Sequence, residues 1–428
     1  MTEKRQFRAI KGTRDILPPD SALWNWFEQT ARDVLESYNF REIRPPIFEE
    51  TELFARSVGV DTDIVGKEMY SFDDRDDSSV SLRPEATASV VRAYIEHGMQ
   101  TLPGNVKLYY IGPMFRRERP QKGRYRQFYQ IGAEVLGESD APAIDAEVLE
   151  MLVVLFKRAG LRLTLLHVNS IGCKECRPKY VEQLRKELRK AKDNLGPDSQ
   201  RRIETNPLRV LDSKLPEEQA IIEKLPRISD HLCAACRQHF SEVKDELGLR
   251  GIAYEENWRL VRGLDYYTRT TFEVTAEGLG SQNAVCGGGR YDGLVELLGG
   301  PPTKGIGFAL GSDRTILSIQ ENRQAPALPG LAVFVAWMGA QAYSTAVVIA
   351  RKLRECRLAV EVPPEEIKFK KALGLADKLG ARYALIIGED EVASGTFTLK
   401  RLADADQRKF KENELLEYLE SERRGTHA

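Results

Sequence analysis

The chain has 428 residues, of which 63 are basic and 64 acidic, with six cysteines and an apolar fraction of 42%. That length exceeds one ordinary core, so two or three domains are expected, and the near-zero net charge excludes a global attraction to polyanions. The longest apolar runs fall short of a membrane span, the charged N-terminus lacks a secretory h-region, and so few cysteines make no disulfide scaffold. A cytoplasmic protein with no membrane association is therefore expected.

In chain order, residues 19–38 repeat their apolar side chains at helical spacing and predict an amphipathic helix. FREIRPPIFEETELF is predicted extended, because Pro45 and Pro46 exclude a helix. SLRPEATASVVRAYIEH reads as a strand end, a loop and a helix beginning near Ala86. VKLYYIGPMF and RQFYQIGAEVLG, two strand-like runs, flank a Pro- and Gly-containing loop and predict a long hairpin. A helix over 142–159 and a strand in LRLTLLHVNSIG follow. Residues 172–250 are helical and charge-dense, and look inserted into an α+β domain made of 1–171 and 251–322. Strand-like sequence resumes with WRLVRGLDYYTRTTFEV and continues through CGGGRYDGLVELLGG and GIGFALGSDR. IQENRQAPALPG reads as a linker. Residues 330–428 alternate strand and helix, which predicts a small α/β domain.

The hairpin loop, FRRERPQKGRYRQ, carries six cationic side chains in an otherwise neutral chain. On its second strand, Gln130, Gly132 and Glu134 share one face, opposite Tyr129, Ile131, Ala133 and Val135. A face with an amide, a bare backbone and a carboxylate suits the floor of a polar pocket. Arg116 at the strand end is placed to clamp a phosphate. Arg262 precedes Gly263 and the pair Tyr266 and Tyr267, where a walled cavity and an ordinary surface arginine are both open readings. The triplet Gly287 to Gly289 permits a close backbone approach, and Arg314 is a second phosphate-clamp candidate. Glu85 and Thr87 stand at a helix start, where capping and reception of an ammonium group are both open readings.

These stretches carry a resemblance. FRRERPQKGRYRQFYQIGAEVLG resembles motif 2 of class II aminoacyl-tRNA synthetases in its histidyl form. RGLDYYTRTTFEV resembles that family's histidine-specific motif, GIGFALGSDR its motif 3, IRPPIFEETELF its motif 1 and LRPEAT its amino-acid-binding loop. Residues 330–428 resemble its anticodon-binding domain. The resemblance implies a class II catalytic domain, an antiparallel sheet flanked by helices, acting as a homodimer on ATP with Mg²⁺, L-histidine and the histidine tRNA. It implies Arg116, Glu118, Arg124 and Arg314 for ATP. For histidine it implies Glu85, Thr87, Arg116, Gln130, Glu134, Arg262, Tyr266 and Tyr267. Arg116 and Arg262 are expected to stabilise charge at the α-phosphate. The surplus cations of the loop are expected to grip the tRNA acceptor end, with Arg119 and Gln121 placed to read terminal bases.

Cys173, Cys176, Cys233 and Cys236 form two CxxC pairs with 56 residues between them. A tetrahedral zinc site and a set of reduced thiols are both open at this point, because the gap is long for a compact zinc ribbon. Cys286 and Cys356 read as small buried residues. The basic block Arg185 to Arg202 is either a surface toward the acceptor arm or a solvated helix face. The rival function is the family's non-catalytic paralogue, the regulatory subunit of ATP phosphoribosyltransferase. It tends to lose motif residues and the C-terminal domain, whereas Arg116, Glu134, Arg262, Arg314 and residues 330–428 are all present here.

Overall fold

The structure, a computed structural model, describes residues 6–59, 62–161, 164–264, 266–277, 283–322, 326 and 330–425. It divides into two compact units, Met1–Pro326 and Ala327–Ala428.

The first unit is built on an eight-stranded sheet. Its first half runs Arg41–Glu42, Val106–Phe115, Gln127–Gly137, Lys304–Gly311, and its second Ala284–Arg290, Thr268–Ala276, Thr164–Ser170, Glu255–Glu256. The six inner strands pair antiparallel, and the two short edge strands pair parallel. The predicted hairpin is present, with Val106 opposite Leu136 and Phe115 opposite Gln127. Helix Asp20–Ser37 buries Leu23, Trp24, Phe27, Ala31, Val34 and Leu35, the stripe its periodicity foretold, and packs on helix Pro142–Arg158.

Three expectations need correction. In IRPPIFEETELF only Phe48–Glu50 is a strand, and Thr51 opens a helix to Val58. The prolines forbid a helix only at their own turn. WRLVRGLDYYTRTTFEV is a strand only from Thr268, so Arg262, Tyr266 and Tyr267 lie on an irregular approach segment. Packing explains this: Val261, Leu264, Tyr266 and Tyr267 turn into the core of the helical block and cannot also follow a pleat. Helix Ser312–Glu321 runs on into the proposed linker, whose residues 323–325 and 327–329 lie outside the described residues.

Residues 177–249 are helical, with helices Arg177–Lys190, Pro197–Thr205, Pro216–Ile222 and Ala234–Leu249 around Tyr180, Leu184, Leu188, Ile203, Val210 and Ile222.

The second unit is a five-stranded sheet in the order Val360–Glu361, Val333–Trp337, Tyr383–Ile387, Thr396–Arg401, Gln407–Lys411. The first three strands are parallel and the last two antiparallel. Val333, Val335 and Trp337 face helices Ala340–Glu355 and Glu412–Gly425, while Phe334 and Ala336 face helix Phe369–Lys378. Burial on both faces is why LAVFVAW is continuously apolar instead of alternating.

Candidate active site

Three neighbouring strands form the floor. Gln130 lies opposite Gly311, Gly132 opposite Ala309 and Glu134 opposite Gly307, while Gly307 and Ala309 lie opposite Gly289 and Gly287 on the next strand. Directly paired residues share a face, so one polar strip crosses the sheet. Above it opens a cleft of about 260 Å³ lined by Arg116, Glu118, Arg124, Gln130, Arg262, Glu273 and Arg314.

Arg116 is held from two sides. Its Nε donates to Pro84 O at 2.9 Å, and its guanidinium lies 5.2 Å from the Phe128 ring centroid. Glu118 sits between Arg116 and Arg124, at 3.8 and 3.3 Å. Arg262 Nη1 donates to Glu273 Oε2 at 2.9 Å, and its guanidinium lies flat on the backbone of Gly287. A Cβ at Gly287 would fall 2.1 Å from Arg262 Nη2, so the glycine is what admits the arginine. Arg314 occupies the first turn of helix Ser312–Glu321. Burial, and then the like charge of Arg124, pull Arg314 below the usual guanidinium range. Four guanidiniums thus face the carboxylates of Glu118, Glu273 and Asp313, the last already paired with Arg14, which leaves an excess of positive charge suited to a polyanion.

A buried polar cluster continues the strip. Glu134 is 1% exposed and accepts from Thr87 Oγ1 and Tyr291 OH, both at 2.7 Å. Burial pushes its carboxyl up to about 8, against the pull of those two hydrogen bonds. A Cβ at Gly307 would lie 1.7 Å from Glu134 Oε2, so that glycine makes room for the carboxylate. Tyr266 packs on Tyr267 at 4.7 Å and edge-on to Tyr291 at 5.9 Å. Burial raises all three phenols and keeps them neutral donors. Glu85 accepts from the backbone N–H groups of Thr87 (2.7 Å) and Ala88 (3.0 Å), so it caps helix Thr87–Glu96.

The sequence-predicted residues therefore fall into two adjoining sets, joined through Gln130 and the Thr87–Glu134 bond. Arg119 and Gln121 stay outside, exposed on the loop, where Gln121 and Arg124 exchange backbone hydrogen bonds across a tight turn. The surplus loop charge is partly engaged within the fold. Arg117 stacks 5.0 Å over Tyr70, Lys122 pairs with Glu321 at 2.5 Å, and Arg126 Nε donates to Glu118 O at 3.5 Å. In the helical block Arg189 pairs with Glu204 at 2.6 Å, which favours a solvated face there. Cys286 is buried as expected, but Cys356 is only half-buried. The four CxxC sulfurs, drawn from both ends of the helical block, lie within 4.8 Å of one another.

Sequence reasoning missed Glu273 and Tyr291. Glu273 is the one acid of strand Thr268–Ala276, but Arg259, Arg262 and Arg269 all lie nearby in sequence, and no local pattern tells which of them it meets. Tyr291 stands two residues after the glycine triplet, but nothing local tells which way its ring turns.

The histidyl-tRNA synthetase family profile matches residues 12–314, and an anticodon-binding-domain profile matches 332–422. A histidine–tRNA ligase of Solibacter usitatus is 53% identical over 415 residues, 97% of this chain and 99% of that one. Its counterpart in Koribacter versatilis is 53% identical over 422 residues, 96% of each chain. The crystal structure of apo S. aureus histidyl-tRNA synthetase superposes with a TM-score of 0.80 at 38% identity, covering 97% of this chain and all of that one.

Proposed function

The chain belongs to the histidyl-tRNA synthetase family, and from that premise we infer that it ligates L-histidine to its cognate tRNA in two steps. Histidine and ATP first give histidyl-adenylate and pyrophosphate. The acyl group then passes to the 3′ end of the tRNA. The observation that carries this reading is the junction of a four-guanidinium cleft with the buried Glu134–Thr87–Tyr291 cluster.

In this mechanism ATP enters as its Mg²⁺ complex, the ion neutralising charge on the phosphates. The histidine carboxylate attacks the α-phosphorus, and negative charge grows on its non-bridging oxygens. Arg116 and Arg262, fixed by Pro84 O and Glu273, meet that charge without reorganising. Arg124 and Arg314 hold the outer phosphates, and Glu118 contacts the adenine or the tRNA end. The chemistry needs positioning and charge stabilisation, which the cleft's arginines supply, and no nucleophilic side chain is required.

Glu134 faces the imidazole together with Tyr266 and Tyr267, while Gln130, Thr87 and Glu85 serve the amino and carboxylate groups. Glu85 does so in addition to capping its helix. A site that hydrogen-bonds a polar side chain rejects apolar analogues by roughly 10⁴–10⁵, enough for specificity without an editing step. Arg119 and Gln121, exposed at the loop tip, contact the tRNA end, and the second unit binds the anticodon. The helical block 172–250 is a separate insertion within the catalytic domain. The active form is a cytoplasmic homodimer. Exposed Phe48 and Phe72, on the two strands that flank strand Ser79–Leu82, support the dimer by offering apolar surface, and among the described residues no helix is long and apolar enough to cross a membrane. Charging of a histidine tRNA transcript with labelled histidine, dependent on ATP, tests the reading. Charging that fails with an intact transcript would overturn it.

A further inference from the structure

We propose that Cys173, Cys176, Cys233 and Cys236 bind one zinc ion as a tetrathiolate, and that this ion anchors the segment carrying Tyr266 and Tyr267. The second half of the proposal rests on the functional reading above, because it concerns the histidine pocket.

The geometry carries the metal assignment. Four zinc–thiolate bonds of about 2.3 Å at tetrahedral angles require sulfur–sulfur edges of about 3.8 Å. Cys173 Sγ lies 3.8 Å from both Cys176 Sγ and Cys233 Sγ, and all four sulfurs fall within 4.8 Å of one another. Those edges are nearly twice a disulfide's ~2.05 Å, and the four cysteines are free thiols. Two segments 60 positions apart in sequence supply them, so the convergence is a product of the fold and not of one local turn. Cys176 and Cys233 stand at the N-caps of helices Arg177–Lys190 and Ala234–Leu249, so each CxxC pair is set by a helix start. The backbone N–H of Cys173 donates to Cys176 Sγ at 3.2 Å, a contact that steadies a metal-bound sulfur. Cys176 and Cys236 are buried, which shields the site from exchange with water. Binding releases the four thiol protons and leaves the complex with a net charge of about −2, which Lys174, Arg177 and Arg237 flank in sequence.

The same residues hold the histidine segment. Gly172, immediately before the first cysteine, accepts from Thr268 Oγ1 at 3.1 Å and from Arg269 N at 2.8 Å. Arg177, immediately after the second, donates to Tyr267 O at 2.6 Å. Tyr267 shares its core with Cys176 and Cys236, and Tyr266 packs against that core. A metal that fixes both CxxC turns therefore fixes the backbone from Tyr267 to Arg269.

The test uses the full chain, purified without chelator. Elemental analysis should find about one zinc per chain, and replacement by Co²⁺ should give the thiolate-to-cobalt charge-transfer band of a tetrahedral sulfur site. The variant C173S/C233S should lose both signals. If that variant fails to fold, stripping wild-type protein with a chelator and restoring Zn²⁺ replaces it. Metal loss should lower kcat/KM for histidine by on the order of 10–100-fold, mostly through KM, and leave KM for ATP nearly unchanged. Metal-free protein with four titratable thiols, or bound iron, overturns the zinc assignment whatever the activity. Bound zinc whose removal moves both KM values equally, or neither, overturns the anchoring role. A zinc-loaded chain that charges no tRNA contradicts the functional reading and leaves the zinc assignment standing.

Discussion

The guanidinium of Arg262 lies against the bare backbone of Gly287 and is tied to Glu273 at 2.9 Å. Gly287→Ala should therefore push Arg262 out of place and slow histidine-dependent ATP–pyrophosphate exchange toward the level of Arg262→Ala, a loss on the order of 10²–10³. In an Arg262→Ala background the same glycine change should cost little, since the atom it strikes is gone. A double-mutant cycle in exchange rate checks this coupling.

Glu134 sets a pH dependence. Its carboxyl titrates at about 8 in the free protein, and free imidazole near ~6.5. Between those values the separated partners carry one proton, the number that a bound imidazole–carboxylate pair holds. Below ~6.5 a proton must leave on binding, and above about 8 one must be gained, so histidine affinity should fall on both sides. Glu134→Gln should weaken binding, keep the acid limb and move the alkaline limb up to the titration of the substrate's own amino group. Histidine KM measured against pH for both proteins decides the matter.

Tyr291 donates to Glu134 Oε2 at 2.7 Å. Tyr291→Phe leaves that buried oxygen short of a donor, and should raise KM for histidine by the equivalent of ~1–3 kcal/mol. The lost bond favoured the ionised carboxylate, so the alkaline limb should also move to higher pH in this variant. An alkaline limb that stays put would separate Tyr291 from Glu134.

Arg314 is buried and sits near the like charge of Arg124. Arg314→Gln should raise KM for ATP about tenfold, the effect of ~1.4 kcal/mol of lost phosphate contact, with KM for histidine little changed. Steady-state kinetics with each substrate varied in turn checks this.

Arg119 is exposed on the loop, away from the cleft lining. Arg119→Ala should leave pyrophosphate exchange intact and weaken transfer to tRNA, with a smaller salt dependence of tRNA binding. Comparing exchange with full charging separates the two steps.

Where period and punctuation are strong, the sequence already shows the structure. The hairpin, the amphipathic helix Asp20–Ser37 and the alternation after residue 330 are all visible in it, and so is the polar strip of Gln130 and Glu134. What stayed hidden depends on contacts between distant segments. Strand-like composition at 257–267 yielded to the pull of the helical block's core. The direction of Tyr291, the Arg262–Glu273 pair and the meeting of the two CxxC turns are set by packing across the sheet, and no local pattern reports them. The loop cations also make contacts within the fold, at Arg117, Lys122 and Arg126, and those of Arg117 and Lys122 depend on segments far away in sequence.

The most direct test of the central claim is ATP–pyrophosphate exchange run in parallel with each of the twenty amino acids. Exchange with histidine alone, lost in Arg262→Ala with the fold intact, is the predicted result. A folded protein that supports no exchange, or exchanges with another amino acid as readily, would contradict it.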